Sequence, residues 1–374
     1  MPAATATTAA GDGETTDLST QYDTPLGLAH TTMQALKDRI KLHYDLASDY
    51  YLNLWGEHIH HGYWPTATSK ATDSKETAQL NLIRLLLSIS SLSPPQGREE
   101  LKEQQQLRIL DVGCGVGGTT RYLASELGAA VTGITISGKQ VQIAGRLSKA
   151  AAAAAAATPG VDGTGNGDGE DGAADGDGDG SKAEEGDGFI PLGDRGGKVR
   201  FIELDAEKMG EFFSPSGGGG QAGGGFDVVW ISEALSHFPN KALFFHNAHK
   251  LLRPGGKLVL ADWFRAEGLG EGVFEADIKP IEDGMLLPPL CTQQEYVNLA
   301  TGAGLEVLGG PKDISKDVSK TWDISWSLVQ NPSLWAFAFS QGRDGIAFLQ
   351  AFRAMRRGYA NGSFRYAVMA FAKP

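Results

Sequence analysis

Four glycines lie within six positions near the middle of the chain, directly after a short apolar run. The run covers residues 107–112, and the glycines are Gly113, Gly115, Gly117 and Gly118. An ordinary turn between a strand and a helix needs one glycine, whereas several together let a ligand lie against bare backbone. The segment therefore predicts a strand, a cofactor-binding turn and a helix, and the chain must adopt a fold that can hold this unit.

The glycine spacing fits two classes of cofactor. Gly113, Gly115 and Gly118 satisfy the G-x-G-x-x-G fingerprint of dinucleotide-binding proteins, in which an acidic residue about 20 positions later holds the ribose. The second apolar run, 129–135, is followed by no such carboxylate, and the acid stands instead at Asp111. S-adenosylmethionine (SAM) is cationic and lacks a pyrophosphate, so the pattern favours SAM. A nicotinamide-dependent oxidoreductase is the alternative.

Length and charge exclude several classes of protein. The 374 residues are enough for an α/β core with a smaller accessory region, and most of the formal charge of −12 lies in an acidic stretch between residues 162 and 187. The rest of the chain is near neutral, which argues against a nucleic-acid partner. Two cysteines, no basic start and no long apolar run predict a cytoplasmic protein without a membrane span. The sequence does not indicate an oligomeric state.

Apolar runs alternate with helical patterns along the middle of the chain, which predicts a mostly parallel sheet covered by helices. The strand candidates are 107–112, 129–135, 198–204, 226–231 and 256–263. Two helices are expected before them, at 28–55 and about 76–90, and mostly helical segments after them, at 266–310 and 312–358. An apolar run at 363–371 predicts a last strand that is antiparallel or at the sheet edge.

The acidic stretch contains one motif that suggests a metal. Asp175, Asp177, Asp179 and Gly180 begin like a calcium-binding loop, but the twelfth position is Gly186, where a bidentate Glu belongs. A solvated acidic loop is the favoured interpretation.

Four blocks of sequence point to one family. They are 44–51 leading into 55–64, the glycine turn, 230–237 and 252–257. Together they resemble the class I SAM-dependent methyltransferases, and within them the γ-tocopherol methyltransferase-like group, whose cousins act on sterols, coclaurine-type alkaloids and cyclopropane fatty acids. The resemblance implies an α/β fold: a Rossmann-like, seven-stranded sheet with N-terminal helices and a C-terminal helical cap.

On this basis the chain divides into four parts. We expect a disordered tail at 1–25, an N-terminal helical lid region at 26–104 and a SAM-binding core at 105–264. Residues 265–374 would form a substrate-binding helical cap and the final strand. Within the core, a Gly/Asp-rich insert at about 158–188 and a glycine loop at 216–225 are expected to be mobile and dispensable for catalysis.

The resemblance also implies roles for individual residues around SAM. Glycines of the turn would line its methionine and ribose parts, with Asp111 organising the turn. Residues after the second strand would contact the ribose, an Asp-Ala pair after the third would meet the adenine, and a segment before the core would fold over the cofactor. The implied cofactor-binding set is Asp111, Gly113, Gly115, Gly117, Thr135, Ile136, Gln140, Asp205, Ala206, Ser232, Ile59 and His60.

Methyl transfer to a protonated acceptor benefits from a general base. Glu233 and His237 are spaced four apart, and in a helix they would share one face. The resemblance to alkaloid enzymes makes His237 the first candidate, with His61 and Tyr63 as further catalytic candidates on the acceptor side. His58, His60 and His61 form a tight cluster, but no carboxylate or cysteine set accompanies it, so no metal is predicted.

The acceptor is expected to be a small, largely apolar molecule such as a phenol, an isoprenoid or an alkaloid, because the segment after residue 265 is rich in Trp and Phe. Cyclopropane synthases read Glu-His where this chain has Ser236-His237, which counts against cyclopropanation. A sterol-type C-methyltransferase and a non-methylating SAM-binding enzyme are the alternatives.

Overall fold

The computed structural model describes residues 33–95, 105–157, 188–214, 216–218, 225–329 and 343–374. The expected tail at 1–25, the calcium-like loop and most of both inserts lie outside these residues. Among the described residues, no helix combines the length and the apolar composition needed to cross a bilayer.

Eight strands form one sheet in the described part of the chain. The strands are β1 Arg108–Val112, β2 Ala130–Thr135, β3 Ile190–Leu192, β4 Gly197–Glu203, β5 Phe226–Ser232, β6 Leu252–Arg265, β7 Glu306–Asp313 and β8 Phe364–Ala372. Their order across the sheet is β3-β4-β2-β1-β5-β6-β8-β7. β4, β2, β1, β5 and β6 run parallel, whereas β3 and β8 are antiparallel to their neighbours.

Helices surround this sheet. They are α1 Met33–Trp55, α2 Ala67–Thr72, α3 Lys75–Ile89, α4 Gly118–Leu127, α5 Gly138–Ala157, α6 Met209–Phe212, α7 Lys241–Leu251, α8 Glu271–Val273, α9 Lys279–Gly284, α10 Gln293–Gly302, α11 Ser315–Val318, α12 Lys320–Val329 and α13 Arg343–Asn361. Single 3₁₀ turns occur at 206–208 and 235–237, and a π-helical turn occurs at 274–278.

The central strands are buried on both faces, as parallel strands with helices on both sides must be. Along β5, Val228 and Trp230 face one hydrophobic core, and Val229 and Ile231 face the other. The first core receives side chains from α3, α4, α12 and α13, and the second from α7 and α10. Successive side chains point to opposite faces of the sheet, and both faces are buried. These strands therefore appear in the sequence as near-continuous apolar runs.

The predicted fold class is confirmed, with differences at the sheet edges. β3 adds an eighth strand of only three residues, too short to give a sequence pattern. β7 lies in a segment predicted to be mostly helical; its residues are nearly all exposed and include a Gly-Gly-Pro run, so no alternation marks it as a strand. β8 is antiparallel as predicted, but it lies between β6 and β7 and not at the edge.

The start of α4 is in close contact with the segment after α1. A Cβ atom added to Gly118 would lie 2.2 Å from the backbone oxygen of Glu57. The absence of a side chain at this helical position therefore lets residues 57–61 lie directly on the glycine turn.

We predict that Gly118→Ala lowers the free energy of unfolding by about 2 kcal/mol, because overpacking forces backbone to move. Gly145→Ala is the matched control, since Gly145 lies inside α5 with nothing within 4 Å of an added Cβ. That change should stabilise the protein by up to about 1 kcal/mol. Thermal unfolding of both variants measures the difference, and equal shifts for the two would contradict the prediction.

Candidate active site

A cavity opens at the carboxyl ends of β1 and β5, where the strand order reverses. Ligands of open parallel sheets bind at this kind of switch point. The cavity is lined by Glu57, His58, Ile59, His60, Asp111, Gly113, Cys114, Gly115, Val116, Gly118, Thr119 and Ser232. Six of the predicted cofactor residues therefore lie around one cavity: Ile59, His60, Asp111, Gly113, Gly115 and Ser232.

The glycine turn has the backbone conformation that its composition predicts. Gly113, Gly115 and Gly117 all have positive φ angles, of 72°, 54° and 80°. The backbone N–H groups of Gly113 and Cys114 both donate to the oxygen of Ile134, at 2.9 and 3.0 Å. The turn is thus tied to β2, and α4 begins directly behind it at Gly118.

Asp111 connects β1 to α4 beneath the turn. Its carboxylate accepts a hydrogen bond of 2.6 Å from the Thr120 hydroxyl, and the side chain is buried. Burial raises the pKa of Asp111 to about 7, although the Thr120 hydrogen bond opposes the shift. The carboxylate lines the cavity, where a nearby cation would favour its ionised form.

Residues 57–61, which we call the tandem-histidine segment, cover the glycine turn. Glu57 and Arg121 form an ion pair at 2.6 Å, and Arg121 also donates to the oxygen of Val116 at 2.9 Å. From α3, the Gln79 amide donates to the oxygens of His58 and His60. The segment is therefore held by side chains from two helices.

Neutral imidazoles line the cavity side of this segment. Burial, with smaller effects of the charges at His60 and Arg121, lowers the pKa of His58 to about 3, and burial also lowers the pKa of His60. His60 Nδ1 lies 2.9 Å from the oxygen of His61, so Nδ1 carries the proton and donates. His60 Nε2 is left as a buried lone pair with no partner in the described part of the chain.

The next residue, His61, forms a buried pair with Glu233. Its Nδ1 lies 2.9 Å from Glu233 Oε2, and its backbone N–H donates to Oε1 at 2.6 Å. Tyr366 donates to the same Oε1 at 2.7 Å. Burial would raise the pKa of Glu233, but the charge and hydrogen bonds of His61 outweigh it and hold that pKa below its usual value.

Four aromatic rings surround the His61 imidazole; we call them the aromatic cage. Their ring centres lie between 4.8 and 6.3 Å from that of His61, and they belong to Trp263, Trp322, Tyr359 and Tyr366. His61 Nε2 is buried here with no partner among the described residues. Because Nδ1 is used by Glu233, Nε2 is the nitrogen that can accept a proton.

His237 lies on the other side of Trp263. The two rings are 6.3 Å apart, and the Tyr44 hydroxyl of α1 is 3.5 Å from His237 Nε2. The stretch is not the helix in which Glu233 and His237 would share one face. Glu233 has a φ of 56°, in the left-handed region, and His237 ends a single 3₁₀ turn. His237 contacts Trp263 and Tyr44, whereas Glu233 pairs with His61.

The remaining cofactor candidates lie at the ends of β2 and β4, next to α1. Thr135 donates to Gln140 at 2.6 Å, and Lys41 of α1 donates to the oxygen of Ile136 at 3.1 Å. Asp205 caps the turn that begins at Ala206 and forms an ion pair with Lys37 at 2.9 Å. The structure thus places these five residues next to the cavity-lining set but not in the cavity wall.

Gly117 and Tyr63 are not among the residues that line the cavity. Gly117 is the first residue before α4, where an added Cβ would lie 2.7 Å from the Phe201 ring. Tyr63 is half-buried against α3, and burial together with the charge of Asp317 raises the pKa of its hydroxyl. Its contacts are with this part of the fold and not with the His61–Glu233 pair.

A model of the methyltransferase domain family matches residues 76–308, well over half of the chain. The chain belongs to this family. It is similar to the chloroplastic tocopherol O-methyltransferase of Arabidopsis thaliana, with 25% identity covering 92% of this chain and 85% of the relative. It is also similar to the 27-O-demethylrifamycin SV methyltransferase of Amycolatopsis mediterranei, with 27% identity covering 76% and 78%.

Among solved structures, a cyclopropane synthase from Mycobacterium tuberculosis has the same fold, with a TM-score of 0.61, 16% identity and coverage of 90% of this chain and 98% of the synthase. The chain is a class I SAM-dependent methyltransferase of the tocopherol-methyltransferase-like kind, and its cofactor is SAM.

The polar groups of the cavity fit this cofactor. The Asp111 carboxylate and the His60 Nε2 lone pair are both acceptors, and no Lys or Arg side chain lines the cavity. A sulfonium and an ammonium are cations, which such a lining favours, whereas a pyrophosphate would need donors.

Sequence reasoning missed several residues of this methyltransferase site. Thr120, which bonds Asp111, and the Glu57–Arg121 pair gave no motif signal. Tyr366 is a tyrosine in an otherwise apolar strand, and a buried tyrosine needs a partner for its hydroxyl. That signal could have marked Tyr366, but it could not have identified its partner, Glu233, which follows β5.

We predict that Asp111→Asn stabilises the free methyltransferase more at pH 8 than at pH 5. The pKa of Asp111 is raised on folding, so the folded state binds the proton more tightly and ionisation destabilises it as pH rises from about 4 to about 7. The loss of folding stability caused by ionisation of Asp111, taken over the whole range from below pH 4 to above pH 7, is about 4 kcal/mol. The Asn amide oxygen can still accept from Thr120.

Thermal unfolding of both proteins at the two pH values measures this difference. The buried acids Asp262 and Glu282, whose pKa values burial also raises, are common to both proteins and cancel. An equal shift in the unfolding midpoint at pH 5 and pH 8 would show that Asp111 does not titrate in this range. SAM affinity should fall, because the variant lacks the negative charge.

Proposed function

We propose that this methyltransferase transfers the methyl group of SAM to a hydroxyl oxygen of a small, largely apolar acceptor, with His61 as the general base. The observation that carries the proposal is the His61–Glu233 pair next to the cavity. Two relatives named above support an oxygen acceptor, since one is a tocopherol O-methyltransferase and the other a 27-O-demethylrifamycin SV methyltransferase.

The His61–Glu233 pair lies next to the cavity because each of its members directly follows a cavity-lining residue in the chain. His60 and Ser232 line the cavity, and the residues that follow them, His61 and Glu233, form the buried pair. On this proposal the acceptor's hydroxyl lies beside His61 Nε2, at the aromatic cage, and the methyl group reaches it from the neighbouring cavity. We propose that the cavity-lining residues Asp111, Gly113, Gly115, Ile59, His60 and Ser232 hold the reactive part of SAM.

The other cofactor candidates are proposed for the rest of the cofactor. Thr135, Ile136 and Gln140 lie at the end of β2, and Asp205 and Ala206 follow β4. These strand ends are adjacent in the sheet, because β2 pairs with β4. Gly117 would shape the turn without touching the ligand.

When bound, SAM supplies a methyl carbon that its sulfonium activates for in-line displacement. His61 accepts the acceptor's hydroxyl proton at Nε2, because the hydrogen bond from Nδ1–H to Glu233 fixes the tautomer in which Nε2 carries the lone pair. Glu233 also stabilises the imidazolium that forms, as the carboxylate does in a Ser-His-Asp triad. The aromatic cage excludes water and offers apolar surface to the acceptor.

His237 is the second candidate for the base. Its ring contacts Trp263, and its Nε2 lies 3.5 Å from the Tyr44 hydroxyl. His61 is preferred as the base because the Glu233 carboxylate orients its ring through Nδ1. We propose that His237 and Tyr44 orient the acceptor.

We also propose that the protein is cytoplasmic and has no nucleic-acid partner. The Arabidopsis relative is described as chloroplastic, so the compartment needs a direct test. A fluorescent fusion of the full chain distinguishes the two compartments.

The proposal is tested with methyl-labelled SAM and a panel of phenols, aliphatic alcohols and amines of similar size. We predict a labelled methyl ether, and a kcat for His61→Gln lower by about 10² or more, the usual contribution of a general base. His246→Gln is the control, because His246 is exposed on α7.

Transfer to amines alone would refute the oxygen acceptor. Full activity in His61→Gln together with loss of activity in His237→Ala would move the base to His237. Binding of SAM, measured by calorimetry, should survive in both variants.

A further inference from the structure

We infer that Tyr366 is a positioning residue for the reaction, acting on His61 through the carboxylate of Glu233. This inference rests on the proposed role of His61 and adds to it a residue from the last strand of the sheet. Tyr366 donates a hydrogen bond to Glu233, and its ring centre lies 4.8 Å from that of His61.

Three hydrogen bonds fix the Glu233 carboxylate. Oε1 accepts from the Tyr366 hydroxyl at 2.7 Å and from the His61 backbone N–H at 2.6 Å, while Oε2 faces His61 Nδ1 at 2.9 Å. Because both oxygens are used, the carboxylate cannot rotate without breaking one of these bonds. Rotation would release His61 Nδ1, and with it the tautomer that leaves Nε2 free.

Tyr366 is itself held rigidly. It is fully buried, it pairs with Trp263 across β6 and β8, and its backbone N–H donates to the Ser315 hydroxyl at 2.8 Å. Its backbone oxygen accepts from Ile314 at 2.9 Å. The phenol oxygen therefore has a fixed position from which to orient Glu233.

Glu233 needs such a partner more than most carboxylates do. Its backbone has a φ of 56°, a conformation that non-glycine residues rarely adopt. Its side chain is only 10% exposed, so most of its hydrogen-bonding capacity must be met by protein groups. Burial, together with the charge of Glu233, raises the pKa of Tyr366 far above its usual value, so the phenol remains a donor at every working pH.

The pH dependence of the pair depends on all the groups that face it. The titratable and charged groups around Glu233 and Tyr366 come from α1, the tandem-histidine segment, β6, α13 and β8. They are Tyr44, His60, His61, Asp262, Tyr359 and Tyr366. Of these, the Tyr366 hydroxyl and the two hydrogen-bond donors of His61 contact the carboxylate directly.

The test is Tyr366→Phe in the full chain, which removes one hydroxyl and keeps the ring. We predict a kcat lower by about tenfold, as expected from the loss of one hydrogen bond to a charged group, with an unchanged KM for SAM. The acid limb of the kcat–pH profile should move to higher pH, because a carboxylate with one donor fewer holds the proton of the pair more tightly.

Tyr296→Phe is a matched control. Tyr296 is equally buried and donates to a buried carboxylate, that of Asp262, at 2.9 Å, but it lies in the second core. It should lose stability as Tyr366→Phe does, yet keep the wild-type kcat, and its pH profile should move less than that of Tyr366→Phe because its partner Asp262 does not hydrogen-bond to Glu233. Equal kinetic effects of the two variants would overturn the inference and assign Tyr366 a purely structural role.

A second variant keeps the test decisive if Tyr366→Phe does not fold. Fluorotyrosine at position 366 makes the phenol a stronger donor, so the acid limb should move to lower pH, opposite to the shift for Phe. The imidazole resonances of ¹⁵N-labelled enzyme without SAM give an independent measurement. The Nδ1–H signal of His61, assigned with His61→Gln, should shift in Tyr366→Phe and not in Tyr296→Phe.

The two proposals fail separately. A wild-type enzyme that transfers no methyl group to hydroxyls refutes the proposed function. A wild-type enzyme that does so and depends on His61, but shows unchanged kinetics and an unchanged His61 signal in Tyr366→Phe, refutes only the role of Tyr366.

Discussion

The buried carboxylate of Glu233 joins three distant parts of the chain. It receives hydrogen bonds from His61, in the segment before the sheet, and from Tyr366, in the last strand, while its own residue follows β5. Taking such a charge out of water costs several kcal/mol, and only a complete set of partners offsets this. The segment over the glycine turn, the central sheet and the last strand must therefore all be in place before the carboxylate is satisfied.

The dependence of a buried polar group on its partner also explains why the consecutive histidines His60 and His61 differ. Each donates a hydrogen bond from Nδ1–H to a fixed acceptor, His60 to a backbone oxygen and His61 to the Glu233 carboxylate. The first is therefore a neutral ring that lines the cofactor cavity. The second faces the Glu233 carboxylate. Adjacent positions in one segment thus hold a ring on the cavity and a ring paired with a carboxylate.

The sequence predicted the parts of the site that a local pattern encodes. The glycine turn, Asp111 and the five parallel strands follow from residues close together in the chain, and the structure places them as predicted. The pairing of Glu233 with His61 spans 172 positions, and no local pattern could indicate it. Glu233 and His237 would share a face only in a helix, and Glu233 instead has a left-handed backbone conformation that the sequence did not indicate. β7 also escaped prediction, because an exposed edge strand has no buried face to produce alternation.

The long acidic insert joins the fold at a place far from the chemistry. α5 begins at the carboxyl end of β2 and runs back along the sheet, so its last residue, Ala157, lies toward the amino ends of the strands. The chain re-enters just before β3, whose first residue, Ile190, pairs with Val199 of β4. This junction is thus at the edge strand of the sheet, whereas the cavity lies at the central strands β1 and β5. This makes the segment between α5 and β3 a natural place to splice in a fluorescent protein or an affinity handle, so that the enzyme could be followed or immobilised through its own interior sequence.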